Sequence, residues 1–153
     1  TTSVGTIYVQ GRSLGTATIT VQAPGYNSAT TTAIVNPSGF YISSPSNFST
    51  SPSQPNTTVT VRTAYLNPTT LNTVAAQDLR GGLATISVPI TSSKTNIGVI
   101  IGTLSFTGGD ASKTVQFDPL ATGTTNINLG APAPAPNNFS TPSDRQTILA
   151  TVN

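Results

Sequence analysis

Gly15-Thr16-Ala17-Thr18-Ile19-Thr20-Val21, together with its counterpart Gly123-Thr124-Thr125-Asn126-Ile127-Asn128-Leu129, decides how this chain folds. In the first stretch Ala17, Ile19 and Val21 alternate with Thr16, Thr18 and Thr20. Successive strand side chains point to opposite faces, so a period of two predicts a strand with one face buried.

The likeness extends outward. Thr6 to Gly15 aligns with Thr114 to Gly123, and Gly15 to Pro24 with Gly123 to Pro132, without a gap and 108 positions apart. Apolar positions coincide: Ile7 with Val115, Val9 with Phe117, Ile19 with Ile127, Val21 with Leu129. Thr30 to Asn36 then resembles Thr147 to Asn153, now 117 positions apart, so the later copy holds nine more residues in its hairpin loop. That insertion is the tract Ala131-Pro132-Ala133-Pro134-Ala135-Pro136 and its polar continuation. Residues 1–36 therefore read as the end of one repeat and residues 37–153 as one whole repeat.

The rest of the chain carries the same period. Val59 and Val61 alternate with threonines, Ile86, Val88 and Ile90 with Ser87, Pro89 and Thr91, and Ile148, Ala150 and Val152 close the chain. Asn36-Pro37-Ser38-Gly39, Asn67-Pro68, Gly81-Gly82 and Gly108-Gly109-Asp110 punctuate these runs as turns. Many short strands with frequent turns, and no helical periodicity, predict an all-β sandwich. A repeat of somewhat over 100 residues has the size of an immunoglobulin-like domain. Pro89 cannot donate to a sheet ladder, which predicts an edge or a bulge there.

Only 7% of the 153 residues are charged, against roughly 25% in ordinary globular domains. The net charge of +2 comes from very few groups, so there is no basic cluster of the kind that nucleic acid requires. Thr and Ser supply roughly 30% of the chain, which suits strands with neutral, hydrogen-bonding surfaces. The chain has no Cys, so no disulfide reports its redox compartment. No apolar run approaches the roughly 20 residues of a membrane-spanning helix. The chain opens Thr1-Thr2-Ser3 with neither a Met nor a visible signal peptide, which reads as a processed product or an excerpt.

Chemistry has few residues to draw on. His, Cys and Glu are absent, and the carboxylates are Asp78, Asp110, Asp118 and Asp144. A nucleophilic Ser or Thr would need Lys94 or Lys113 as its base. Zinc prefers Cys and His, and calcium several clustered acids. We expect no enzyme, no cofactor and no metal site. The Ala-Pro tract predicts polyproline II geometry, and reads as a stiff hairpin loop rather than a partner's ligand. Asn47-Phe48-Ser49, Asn56-Thr57-Thr58 and Asn138-Phe139-Ser140 match the glycosylation pattern, as chance allows in a chain this rich in Asn, Ser and Thr.

A family comes into view at Leu104-Ser105-Phe106-Thr107-Gly108-Gly109, Thr114-Val115-Gln116-Phe117 and Leu120-Ala121-Thr122-Gly123-Thr124-Thr125-Asn126-Ile127, with the earlier copy Leu14-Gly15-Thr16-Ala17-Thr18-Ile19-Thr20-Val21 closer still. These stretches resemble the bacterial immunoglobulin-like (Big-type) repeats of large surface and secreted proteins. The resemblance covers the C-terminal half of each repeat. It implies an antiparallel immunoglobulin-like sandwich and an extracellular or cell-surface location. In some related domains a Lys–Asn isopeptide bond forms; here it would use Lys94 or Lys113 and would need a buried acid.

Residues 1–36 are expected to supply about three strands, with Ile7, Val9, Ile19, Val21 and Val35 on the inward face. An apolar sheet face must be covered. The cover is expected from a longer chain or from strands of another subunit, rather than from fold-back onto the second domain, because the segment matches the late strands of a sandwich. Partners are thus other copies or adjacent repeats, with no nucleic acid and no membrane insertion. The functional expectation is a structural filament subunit, spacer or stalk. The alternative is an adhesin module for a glycan or host surface, and a virion decoration domain is third.

Overall fold

The computed structural model describes residues 6–135 and 138–153. The opening Thr1-Thr2-Ser3 and Pro136 of the Ala-Pro tract lie outside the described residues. The described chain is all β, with thirteen strands and no helix. It divides into two compact units, Thr1–Asn36 and Pro37–Asn153.

The first unit is a hairpin of β1 (Gly15–Val21) and β2 (Ala29–Val35). The strands pair antiparallel over their whole length, from Gly15 opposite Val35 to Val21 opposite Ala29. Residues directly opposite share a face, so Ala17, Ile19 and Val21 stand with Ala29, Thr31, Ala33 and Val35. The described part of this unit thus has two strands where three were expected. Residues 6–11 form no strand.

The second unit contains β3 (Ser38–Ser44), β4 (Phe48–Thr50), β5 (Thr57–Leu66), β6 (Thr73–Ala76), β7 (Ile86–Val88), β8 (Ile90–Ser92), β9 (Gly98–Ile101), β10 (Leu104–Phe106), β11 (Ser112–Pro119), β12 (Gly123–Leu129) and β13 (Thr147–Val152). One sheet runs β3-β5-β11-β9, with β6 also paired to β5. A second runs β4-β13-β12-β8, its β4 parallel to β13 and its other pairs antiparallel. β7 and β10 form a separate pair.

The alternating positions meet in one core. Val59 and Val61 of β5, Val115 and Phe117 of β11, Ile127 of β12, and Ile148, Ala150 and Val152 of β13 are all buried in it. Val88, Leu104 and Phe106 join them from the β7–β10 pair. Aromatic rings fill the ends: Phe40 lies 4.8 Å from both Phe106 and Phe139, and Phe48 meets Phe117 edge-on at 5.6 Å. Such tilted contacts suit the ring quadrupoles. At Gly98 an added Cβ would stand 2.3 Å from Cζ of Phe117, so this glycine makes room for the ring.

Pro89 divides what reads as one alternating strand. β7 before it pairs with β10, and β8 after it pairs with β12. The missing N–H falls where the chain leaves one ladder and joins another, and the Pro89 carbonyl still accepts from Gly130 N–H at 2.7 Å.

Candidate functional site

The repeat seen in the sequence recurs in the structure residue for residue. β1 coincides with β12 at the 108-position offset, and Val35 with Val152 at the 117-position offset. The pairing register is also the same. Gly15 faces Val35 as Gly123 faces Val152, and Ile19 faces Thr31 as Ile127 faces Ile148. Both strands open on a glycine at positive φ, 132° for Gly15 and 143° for Gly123. A side chain would be strained there in either copy.

The two hairpins differ in what covers them. In the second unit the face built from Thr125, Ile127, Ile148, Ala150 and Val152 is buried in the core. At the matching positions of the first unit, Ala17 and Thr31 are exposed, and Ile19, Ala33 and Val35 only half-buried. Val21, on the same face, is 48% exposed. Ile7 and Val9 are 73% and 60% exposed, although their counterparts Val115 and Phe117 are core residues. The physical reason is the neighbourhood. β11 is held as a strand by β5 on one side and β9 on the other. The described part of the first unit offers residues 6–11 no such flanking strands, and they form no strand. Gly11 still approaches the hairpin, its ideal Cβ falling 2.9 Å from Cγ2 of Val35.

A polar difference accompanies the apolar likeness. Thr125 is buried and its hydroxyl pairs with Ser92 Oγ at 2.8 Å and accepts from Lys94 N–H at 2.9 Å. This ties β12 to β8 and the turn beyond it. Ala17 stands at the matching position and has no hydroxyl. Sequence alignment shows the substitution, but the bonding partners, some 30 residues away along the chain, appear only in the fold.

Other polar groups are structural in their surroundings. Asp110 accepts from Thr107 N–H at 2.7 Å and pairs with Lys113 Nζ at 3.0 Å, closing the Gly108-Gly109 turn. These bonds, the backbone one foremost, hold its carboxyl below the usual range. Burial pushes the Asp144 carboxyl up, but bonds from Thr73 N–H (2.9 Å) and Thr73 Oγ1 (2.8 Å) outweigh it and leave the pKa lowered. Among the described residues no three His, Cys, Asp or Glu side chains gather as a metal site would need. A shallow groove of about 640 Å³ lies beside β3 and β13, lined by Ser43, Pro45, Asn47, Arg145 and Thr147 among others. Arg145 lies over the ring of Tyr41, 5.4 Å from its centroid. Among the described residues no helix is long and apolar enough to cross a membrane.

No protein-family model and no curated protein matches the chain. Solved structures do. Domains 4 and 5 of the S-layer protein SbsC match over 89% of this chain at 17% identity, with a TM-score of 0.55. The chain spans 65% of the length of that S-layer structure. The CBD12 structure from CALX1.2 matches over 94% of this chain and 71% of its own length, at 12% identity and a TM-score of 0.52. The apo-form Calx CBD1 domain matches over 76% of this chain and 97% of its own, at 13% identity and 0.51. At these identities the likeness defines the fold, an immunoglobulin-like antiparallel β-sandwich.

Proposed function

We propose that this chain is a structural piece of a large extracellular or surface protein, serving as a filament subunit, spacer or stalk built from repeats of the bacterial immunoglobulin-like type. One observation carries the reading: two hairpins in the same register, each ending a repeat, follow one another in one chain. Tandem sandwiches of this kind extend a chain by adding units, each stabilised mainly by its own core. The low charge and the Thr- and Ser-rich strands favour a neutral, packed exterior. The S-layer likeness in fold agrees with this reading, and non-catalytic work agrees with the surroundings of the polar groups described above.

Immunogold labelling and electron microscopy of the native source test it. Label on the cell exterior, over regular filaments or beaded stalks, is the expected result. Label confined to the cell interior would overturn the reading. Isolated exterior particles that bind a glycan array would favour an adhesin module instead.

A further inference from the structure

The complete repeat displays what covers a hairpin of this kind. On β12, Ile127 pairs with Ser92, Asn128 with Thr91 and Leu129 with Ile90, all in β8 and antiparallel. On β13, Ala150 pairs with Phe48 and Val152 with Thr50, in β4 and parallel. The inward face meets the β5 and β11 side chains Val59, Val61, Val115 and Phe117 in one core. Moved back by the two repeat offsets, the β8 ladder falls on Ile19, Thr20 and Val21, and the β4 ladder on Ala33, Ile34 and Val35. Among the described residues no further strand pairs with either outer edge of the β1–β2 sheet.

We propose that the β1–β2 hairpin is a docking surface for the β3–β11 section of a second repeat of this type. That section would add one strand antiparallel to β1, one parallel to β2, and a core layer over Ile19, Val21, Ala33 and Val35. The occupant is identified by the register match, since the same face and edges are covered in this way once already in this chain. Backbone pairing along both edges supplies affinity, and the alternating apolar pockets supply selectivity. Ala17 bears on the fit. An identical copy of residues 37–119 would lose the bonds that the Thr125 hydroxyl makes with Ser92 Oγ and Lys94 N–H, so restoring that hydroxyl at position 17 should strengthen docking. The proposal rests on the repeat reading above but not on the surface location.

The test uses the full 153-residue chain, with the polypeptide of residues 37–122 as the probe. This probe contains β3 to β11 and lacks β12 and β13. The two are refolded together and examined by native mass spectrometry and amide exchange. A one-to-one complex that protects the amides of residues 15–35 is expected. Ile19→Asp should weaken it at least about tenfold and Ala17→Thr should tighten it several-fold. No complex, or one indifferent to both substitutions, overturns the proposal. So does a hairpin already protected in the chain alone, which would mean fold-back. A second measurement does not depend on the probe. The triple variant Thr125→Ala, Leu129→Val, Ile148→Thr gives the second hairpin the side chains that the first carries at positions 17, 19, 21, 31, 33 and 35. It should keep one cooperative unfolding transition, at lower temperature; loss of that transition shows that the β1–β2 face does not fit such a slot. Failure of these tests would leave the spacer reading standing, whereas interior labelling would remove the spacer reading alone.

Discussion

Ile19 and Ile127 occupy the same position in two copies of one hairpin, yet only Ile127 is fully buried. The value of a side chain is set by what surrounds it. Ile127→Ala should cost about 2–5 kcal/mol, since it opens a cavity in a close-packed core. Ile19→Ala in the isolated chain should change stability by less than about 0.5 kcal/mol. Urea denaturation of both variants checks the contrast. Asp144 gives a second expectation. Its folded pKa is depressed, so its contribution is present above the unfolded carboxylate value, near 3.8, and is lost as pH falls through the lower folded value. Asp144→Asn should therefore flatten the fall in thermal midpoint as the pH drops below the unfolded carboxylate value of 3.8. An unchanged slope would mean that the Thr73 bonds do not hold the carboxylate in solution.

At the scale of elements, alternation in the sequence revealed most of the long strands. β5, β11, β12 and β13 lie where the alternating runs predicted them, because each buries one face and exposes the other. Which sheet a strand joins was not legible. The run from Ile86 to Ser92 has one unbroken period, but Pro89 splits it between two ladders. Residues 6–11 are the converse case. Their alternation is that of β11, but a strand also needs neighbouring strands, and the described part of the first unit gives them no counterpart of β5 and β9. An isolated two-stranded hairpin is marginal in water. Amides of β1 and β2 should thus exchange far faster than those of β12 and β13 despite the shared register. Hydrogen exchange read by NMR decides this, and equal protection would show that the first hairpin is covered in the isolated chain.

The whole molecule is two compact units, the first with a two-stranded sheet in its described part and the second a sandwich, and its thermodynamics should reflect that. Unfolding enthalpy near 60 °C is about 0.7 kcal/mol per residue for folded, packed chain. If only Pro37–Asn153 melts cooperatively, calorimetry should give about 80 kcal/mol, against about 107 kcal/mol for all 153 residues. The lower value is expected. The higher would mean that residues 1–36 belong to the cooperative unit.

The sequence by itself determined the all-β class, the repeat with both its offsets, and the residues that share a hairpin face, because period two and turn residues act locally along the chain. It also placed Ile19 and Val35 at positions that match core residues of the second copy. Only the tertiary structure decided that Gly15 and Gly123 open hairpins of identical register, that Thr125 is bonded across to Ser92 and Lys94, and that Ile7 and Val9 lie outside any strand. Those outcomes depend on which distant segments are present to pair and pack, and burial is a property of the neighbours rather than of the residue.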